Sequence, residues 1–355
     1  MNILGIETSC DETAAAVVCD GHEVRSSVVS SQIELHAGYG GVVPELAARE
    51  HLKSIAPVVN AALSESSCTI QDIDAVAVTC GPGLVPALLV GVSFAKGLAG
   101  AHGCPFLGVN HFLAHIYGSF FDQPELLAKS ESFPVLALVV SGGHTALVLI
   151  RAAGEASIVG TTLDDAAGEA FDKGAKILEL GYPGGPVIDR LAKKGNPKAI
   201  HFPRGLTGRT GRPQRPEDRF NFSFSGVKTA LLYKVRDRNV SDEELVDVVA
   251  SYQQAIVDVL VQKTVLAARE HHAPTIVMCG GVACNSRLRE EMSAAVSQAG
   301  RLLVAAPPCF CTDNAGMVAG VAYHYLRRGD RSDLDLSVSA RLGQDLGIVP
   351  FAPQA

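Results

Sequence analysis

The sequence predicts an α/β fold of two lobes with duplicated architecture facing a cleft, and three observations predict it. The run Val135–Ile150, VLALVVSGGHTALVLI, reads as two buried strands joined by the tight turn Ser141-Gly142-Gly143-His144-Thr145. Ile3–Val18 lies over that run without a gap, at a constant offset of 132 residues, with Leu4 on Leu136, Ser9 on Ser141, Thr13 on Thr145 and Ala14 on Ala146. The identities are few, but both stretches read strand, small polar turn, strand, the mark of an internal repeat. Finally, short apolar runs alternate along the chain with longer segments of helical periodicity. Turns rich in Gly, Ser and Thr present N–H groups to anions, so the cleft is expected to hold a phosphate-bearing ligand.

The elements follow in order. A strand over about Glu23–Ser30 succeeds the first hairpin. Gly38-Tyr39-Gly40-Gly41 makes a loop, and a helix runs from Pro44 to about Leu63, with Leu46, Ala47, Ile55, Val58 and Val59 on one stripe. Asp74–Thr79 is a strand, Gly81-Pro82-Gly83 a turn, Pro86–His102 a small-residue helix and Phe106–Val109 a strand. After the second hairpin, Thr162–Leu180 is expected to be helical, with Thr162 as its cap and Asp164 and Asp165 in its first turn. Tyr182–Pro186 is a rigid turn. Helices are expected over Ser225–Arg238 and, from a Ser241 cap, over Asp242–His271. Thr275–Cys279 is a strand, Gly280–Asn285 a glycine turn, Ser286–Gln298 a helix, Leu302–Ala305 a strand and Ala315–Arg327 a helix. A strand, glycines and a helix start suit a nucleotide contact, although a bare Gly-Gly turn is a weak signal.

Composition narrows the function classes. With 355 residues, 47% of them hydrophobic, 35 glycines and no tryptophan, the chain has the profile of a compact enzyme with many tight turns. A net charge of −7 argues against a surface that binds nucleic acid everywhere, while leaving room for a local basic patch. Nine cysteines, an odd number, and a start directly on the strand MNILGIE with no basic leader point to a reduced, cytoplasmic setting. The apolar run Leu84–Ala101 contains Pro86, Lys96 and several glycines, which favours a core helix over a membrane span.

Two stretches carry chemistry. His111 and His115 in NHFLAH are four apart, so on a helix they share a face and could hold one metal ion; they could equally be ordinary histidines near a helix start. In the protease motif HExxH the second position is the general base; here it is Phe112. Asp313 could add a carboxylate, giving the two-histidine, one-carboxylate set of open iron(II) sites, which zinc also accepts, or it or Thr312 could simply cap the next helix. Lys193–Arg219 is locally basic, with Arg204, Arg209, Arg212, Arg215 and Arg219 against Glu217 and Asp218. It reads either as a phosphate-contacting segment or as a solvated loop. Asp172 and His144 have bland readings too, as a helix-face carboxylate and a solvated turn residue.

Taken together, GIETSCDET, YGGVVPELAAREH, GPGL, NHFLAH, LVVSGGHT, DDAAGEAFDKGAK, YPGGP, FSFSGVKTA, GGVACN and CTDNAGM make the chain resemble, over about Met1–Arg328, the TsaD family of tRNA threonylcarbamoyladenosine transferases. So many blocks in order are highly specific. The resemblance implies the two-lobed fold of actin, Hsp70 and sugar kinases, with a duplicated RNase H-like core and a central nucleotide cleft. It implies lobes over 1–132 and 133–330, with the last helix crossing back to the first lobe; the residues 331–355 themselves read as a polar, proline-containing tail.

The resemblance further implies that His111, His115 and Asp313 bind one divalent metal, iron(II) being usual. Val139, Val140, Ser141, Gly142, Gly143, Asp172, Gly185, Asp189 and Asn285 would line the site for threonylcarbamoyl-AMP. Ser141, Gly142, Gly143 and Asp172 would be the residues nearest the chemistry. The implied reaction transfers the threonylcarbamoyl group to the exocyclic amine of the adenosine 3′ to the anticodon. The implied partners are tRNA, a paralogous non-catalytic subunit and a small ATPase (TsaB- and TsaE-like), with no membrane. The chain departs from the family pattern in its tail after Asp330 and in an expanded Thr207–Arg215. An actin-like ATPase and a metallopeptidase are the competing readings; the histidine pair speaks against the first and Phe112 against the second.

Overall fold

The computed structural model describes residues 1–355 except 152–153, 209–214, 237–239, 342, 344 and 353–355. Two compact units emerge: Met1–Ser130 with Ala152–Ala156 and Ala306–Ala355, and Glu131–Arg151 with Ser157–Ala305.

The sheet of the first unit is built from β1 (Asn2–Glu7), β2 (Glu12–Cys19), β3 (Glu23–Ser31), β4 (Ala75–Gly81) and β5 (Phe106–Asn110), in the order β3-β2-β1-β4-β5. In the second unit β6 (Val135–Val140), β7 (Thr145–Ile150), β8 (Glu155–Thr161), β9 (Thr275–Cys279) and β10 (Leu302–Ala305) run β10-β9-β6-β7-β8. Each unit thus has an antiparallel hairpin at its centre, with two parallel strands on one side of it. The repeat holds to the residue: Ile3 pairs with Val18 as Val135 pairs with Ile150, and Glu7 with Ala14 as Val139 with Ala146. β1 then pairs in parallel with β4, as β6 does with β9.

Apolar residues on both faces of the central strands demand cover on both sides. In the first unit, one face packs Leu4, Ile6, Val17, Val76 and Val78 against Ile55, Val58 and Val59 of the helix Pro44–Glu65 and Val92, Ala95 and Ala99 of the helix Val85–His102. This last helix is, among the described residues, the one long and apolar enough to cross a membrane; its Ala87, Leu88, Gly91 and Val92 are buried. The other face takes the helix Ala315–Arg327 where its residues are small, Ala14 and Ala16 packing on Ala315. That approach is so close that a Cβ on Gly5 would sit 2.2 Å from the Ala315 carbonyl oxygen. In the second unit, the helix Asp242–Glu270 starts at Ser241, whose hydroxyl accepts from the Glu244 N–H, and buries Tyr252, Ile256 and Leu260.

Three expectations need correction. The helix expected from Thr162 begins at Ala167 and ends at Ile177. Asp164 instead accepts from the N–H groups of Phe224 and Ser225, capping the helix Ser225–Val235, and Asp165 is ion-paired with Lys173 and Lys228. Second, Asn314 rather than Thr312 or Asp313 caps the helix Ala315–Arg327, its Oδ1 accepting from Met317 N–H at 3.0 Å. Third, the segment after Asp330 is not a free polar tail. Ser332 N–H donates to the Phe106 carbonyl at 2.9 Å, Ser339 N–H to that of Cys80 at 2.9 Å, and Lys96 Nζ to that of Leu336 at 2.7 Å. Leu336 and Val338 pack on the core of the first unit, and a short strand β11 (Asp345–Ile348) leads to buried Val349, Phe351 and Ala352.

Candidate metal centre and ligand turn

In the first unit, the strand β5 ends at Asn110, and the chain turns at once into the helix His111–Gly118. Asn110 Oδ1 caps that helix, accepting from Phe112 N–H at 2.9 Å and Leu113 N–H at 3.2 Å. His111 therefore occupies the first turn and His115 the next, with ring centroids 4.5 Å apart. With Asn314 capping the helix Ala315–Arg327, Asp313 turns its carboxylate to both. Its Oδ1 is 3.1 Å from His115 Nε2 and 3.5 Å from His111 Nε2. One donor atom from each residue lies within 4.8 Å of the others, and both rings are buried.

A second layer holds the first. His111 Nδ1 lies 3.1 Å from Glu7 Oε2, and Glu7, fully buried at the end of β1, also accepts from Thr79 Oγ1 at 2.6 Å and from Ser9 N–H at 2.6 Å. A histidine whose far nitrogen meets a carboxylate is the usual support of a metal ligand. Burial works to lower the proton affinity of His111, but the carboxylates of Asp313 and Glu7 overcome it and lift the group to about 9. Burial and the neighbouring His111 together depress His115. Burial, with Asp313 and Asp11 adding to it, raises Glu12 to about 10. The pocket thus crowds carboxylates together away from water, a repulsion that protons relieve here and a cation would relieve equally. His115 Nδ1 is buried with no hydrogen-bond partner among the described residues. The Nε2 atoms of both imidazoles face the one Asp313 carboxylate, a set that fits a divalent metal taking mixed nitrogen and oxygen ligands.

Sequence patterns alone missed Glu7, Ser9 and Thr79. The signal for Glu7 was a carboxylate ending the apolar strand ILGIE, at the position where the repeat has Val139.

In the second unit, the predicted ligand residues gather along one run of element ends. The turn Ser141–His144 is closed by Ser141 N–H donating to the His144 carbonyl at 2.8 Å. Gly142 and Gly143 are exposed at its tip, with open space where a Cβ would stand. Gly168 N–H donates to the Ser141 carbonyl at 3.2 Å, and a Cβ on Gly168 would lie 2.5 Å from that oxygen, so only glycine lets the helix start touch the turn. Asp172 Oδ1 accepts from Gly184 N–H at 2.7 Å, next to Gly185 at the start of the helix Gly184–Ala192. Asp189 accepts from Ser286 N–H and Oγ, and Asn285 caps the helix Ser286–Gln298 while its Nδ2 donates to Gln253 Oε1 at 2.8 Å. Val139 and Val140 are buried strand residues. Gly280 has φ +93°, and a Cβ there would lie 2.3 Å from the Val140 carbonyl oxygen. Asp172 and Asp189 are therefore already engaged in fixing backbone.

Residues 23–320 match the model of the family described as TsaD, tRNA N6-adenosine threonylcarbamoyltransferase. The chain belongs to the TsaD family. It is 49% identical over 346 residues to the tRNA N6-adenosine threonylcarbamoyltransferase of Symbiobacterium thermophilum, covering 97% of each chain. It is 50% identical over 347 residues to that of Pelobacter propionicus, covering 97% of this chain and 98% of the relative. Among solved structures, HypF of T. kodakarensis aligns with a TM-score of 0.57 at 14% identity, over 92% of this TsaD-family chain and 48% of HypF. Component A of (R)-2-hydroxyglutaryl-CoA dehydratase from Acidaminococcus fermentans aligns with 0.52 at 16%, over 91% and 98%. These distant likenesses show the fold alone, the duplicated actin-like α/β architecture.

Proposed function

We propose that this TsaD-family chain transfers the threonylcarbamoyl group from threonylcarbamoyl-AMP to the exocyclic amine of the adenosine 3′ to the anticodon, in tRNAs reading codons that start with A. The observation that carries the reading is full-length similarity, near half identity, to relatives named for threonylcarbamoyl transfer to tRNA adenosine. The donor is inferred from the chemistry of the second unit's turn. An exposed Gly-Gly tip suits a phosphate-bearing ligand.

The amine attacks the carbamoyl carbon, the bond from that carbon to the phosphate oxygen breaks, AMP leaves with the bonding pair, and the amine's proton passes to water. The amine is a poor nucleophile because its lone pair is delocalised into the ring. Catalysis therefore falls on the electrophile. Because Ser141 N–H is already donated to His144, the N–H groups of Gly142 and Gly143 are the ones assigned to the developing oxyanion. Asp172, its Oδ1 held by Gly184 N–H, is assigned to stand beside the ligand as the carboxylate nearest the chemistry. His111, His115 and Asp313 would hold the metal, iron(II) by preference, and it would supply Lewis-acid polarisation of an oxygen. An anticodon loop lets the adenosine leave its stack at low cost. The partners proposed are the paralogous subunit and the small ATPase, in the cytoplasm. With Phe112 buried where a zinc peptidase has its glutamate, the peptidase reading lacks a base.

The test supplies threonylcarbamoyl-AMP, unmodified tRNA and the bacterial partner proteins, and weighs nucleosides from digested tRNA. Threonylcarbamoyladenosine is expected from the wild-type protein, with at least tenfold less from His111→Ala and Asp313→Asn. Undiminished product in both variants would remove the metal from the reaction. Absence of product with competent partners would overturn the transferase reading.

A further inference from the structure

The motif YGGVVPELAAREH contains a histidine that the transfer reaction does not use. His51 lies in the helix Pro44–Glu65 and is completely buried, as are Thr13 and His36, with Gln32 nearly so. Its hydrogen bonds fix a single proton arrangement. The carbonyl of Cys10, 3.0 Å from Nε2, can only accept, so Nε2 carries the proton. Nδ1 is then the acceptor, and Thr13 Oγ1 donates to it at 2.8 Å. Gln32 Nε2 approaches the same nitrogen at 3.4 Å, a weaker contact. A neutral imidazole satisfies every group present; a protonated one would face the Thr13 hydroxyl and the Gln32 amide with a donor.

What His51 holds is the turn beside the metal centre. Cys10 follows Ser9, whose N–H donates to Glu7 Oε1 and whose Oγ lies 3.3 Å from His111 Nδ1. The rest of the turn is pinned by backbone: Leu84 N–H to the Ser9 carbonyl at 2.8 Å and Gln32 N–H to that of Asp11 at 3.0 Å. The Cys10 carbonyl between them is held by the His51 side chain.

We propose that His51 is a positioning residue for the metal centre, acting through its Nε2–H on the Cys10 carbonyl and so on Ser9, Glu7 and His111. Thr13 sets the tautomer that makes this donor available. Burial lowers the proton affinity of His51, with the Cys10 carbonyl, Glu7, Asp11 and Glu50 pulling the other way, so the neutral form persists at ordinary pH. The proposal rests on His111, His115 and Asp313 being a metal site.

The test reads cobalt(II) binding by absorbance and threonylcarbamoyl transfer by kcat and KM, on the full chain. Glutamine places an amide near the position of Nε2, whereas asparagine reaches only the position of Nδ1. His51→Gln should keep cobalt affinity and kcat within about threefold. His51→Asn, melting near the wild type, should lose at least tenfold in cobalt affinity and in kcat with KM for tRNA unchanged. Wild-type cobalt affinity and kcat in a folded His51→Asn would overturn the proposal. Should that variant not fold, Thr13→Val decides. Without the hydroxyl donor the tautomer is no longer set, so Thr13→Val should lose at least tenfold in cobalt affinity and in kcat while Thr13→Ser keeps both; a Thr13→Val equal to Thr13→Ser overturns the proposal. A wild-type protein that transfers but binds no cobalt would sink the metal reading instead, and His51 would then be judged on the kcat of His51→Gln against His51→Asn.

Discussion

The Nδ1 of His111 lies 3.1 Å from the carboxylate of Glu7, a contact that ties the first strand of the chain to the helix carrying both candidate metal-binding histidines. Glu7→Gln preserves the shape and removes the charge. Loss of such a supporting carboxylate is expected to weaken metal affinity by roughly 10- to 100-fold. Competition against a chelator of known affinity measures it. Affinity equal to the wild type would mean that Asp313 alone sets the electrostatics of the pair.

Lys263 gives a pH dependence in the second unit, away from the metal residues. Its side chain is buried, and its Nζ donates to the carbonyls of Asp218 and Arg219 at 3.1 and 3.0 Å. Burial pulls the ammonium from its ordinary 10.5 down to about 8, against the opposing pull of Asp218. Between those values the unfolded chain holds more protons than the folded one, so stability rises with pH across that window. The rise should be on the order of 1–3 kcal/mol. Urea unfolding at pH 7.5, 9 and 10 should show it in the wild type and not in Lys263→Met. Parallel curves for the two proteins would refute it.

How far these features were legible in the sequence depends on whether the signal is local. The repeat was, because Ile3–Val18 and Val135–Ile150 carry their own strand and turn patterns, and the pairing registers agree. The helix holding His111 and His115 was legible from their spacing. The start of the helix after Thr162 was not. Thr, Asp and Asp look like a cap in any sequence, but Asp164 serves a helix about sixty residues later. Glu7 escaped for the same reason, since nothing local says that a strand-end carboxylate faces inward. The docked tail escaped because its few apolar anchors are scattered among polar residues whose backbone, not side chains, makes most of the bonds.

Part of the charge of the arginine-rich stretch is already spent on ion pairs. Arg204 is paired with Asp258 at 2.8 Å and Arg219 with Glu270. Arg215 is exposed, while Arg209 and Arg212 lie outside the described residues. Replacing Arg209, Arg212 and Arg215 together by alanine should weaken tRNA binding and flatten its salt dependence. The log–log slope should fall by about 0.7 for each single-strand phosphate that the variant no longer neutralises. An unchanged slope would return the segment to a solvated loop.

The C-terminal segment should prove part of the metal helix's support. Tyr117 stands two residues after His115, its hydroxyl donates to the Gly21 carbonyl at 2.9 Å, and His324 Nε2 lies 3.0 Å from the Tyr117 hydroxyl oxygen. The buried Phe351 ring packs on Tyr117, with centroids 5.3 Å apart. Phe351→Ala is therefore expected to cost about 3 kcal/mol and to speed amide exchange in the helix His111–Gly118. Ending the chain at Asp330 should cost more, because it also removes Leu336 from the core and leaves the Phe106 and Cys80 carbonyls without the Ser332 and Ser339 donors. Since the histidines ride on that helix, metal affinity should fall along with exchange protection in both proteins. A truncated chain that melts, exchanges and binds metal like the wild type would show that the helix is held from within the sheet alone.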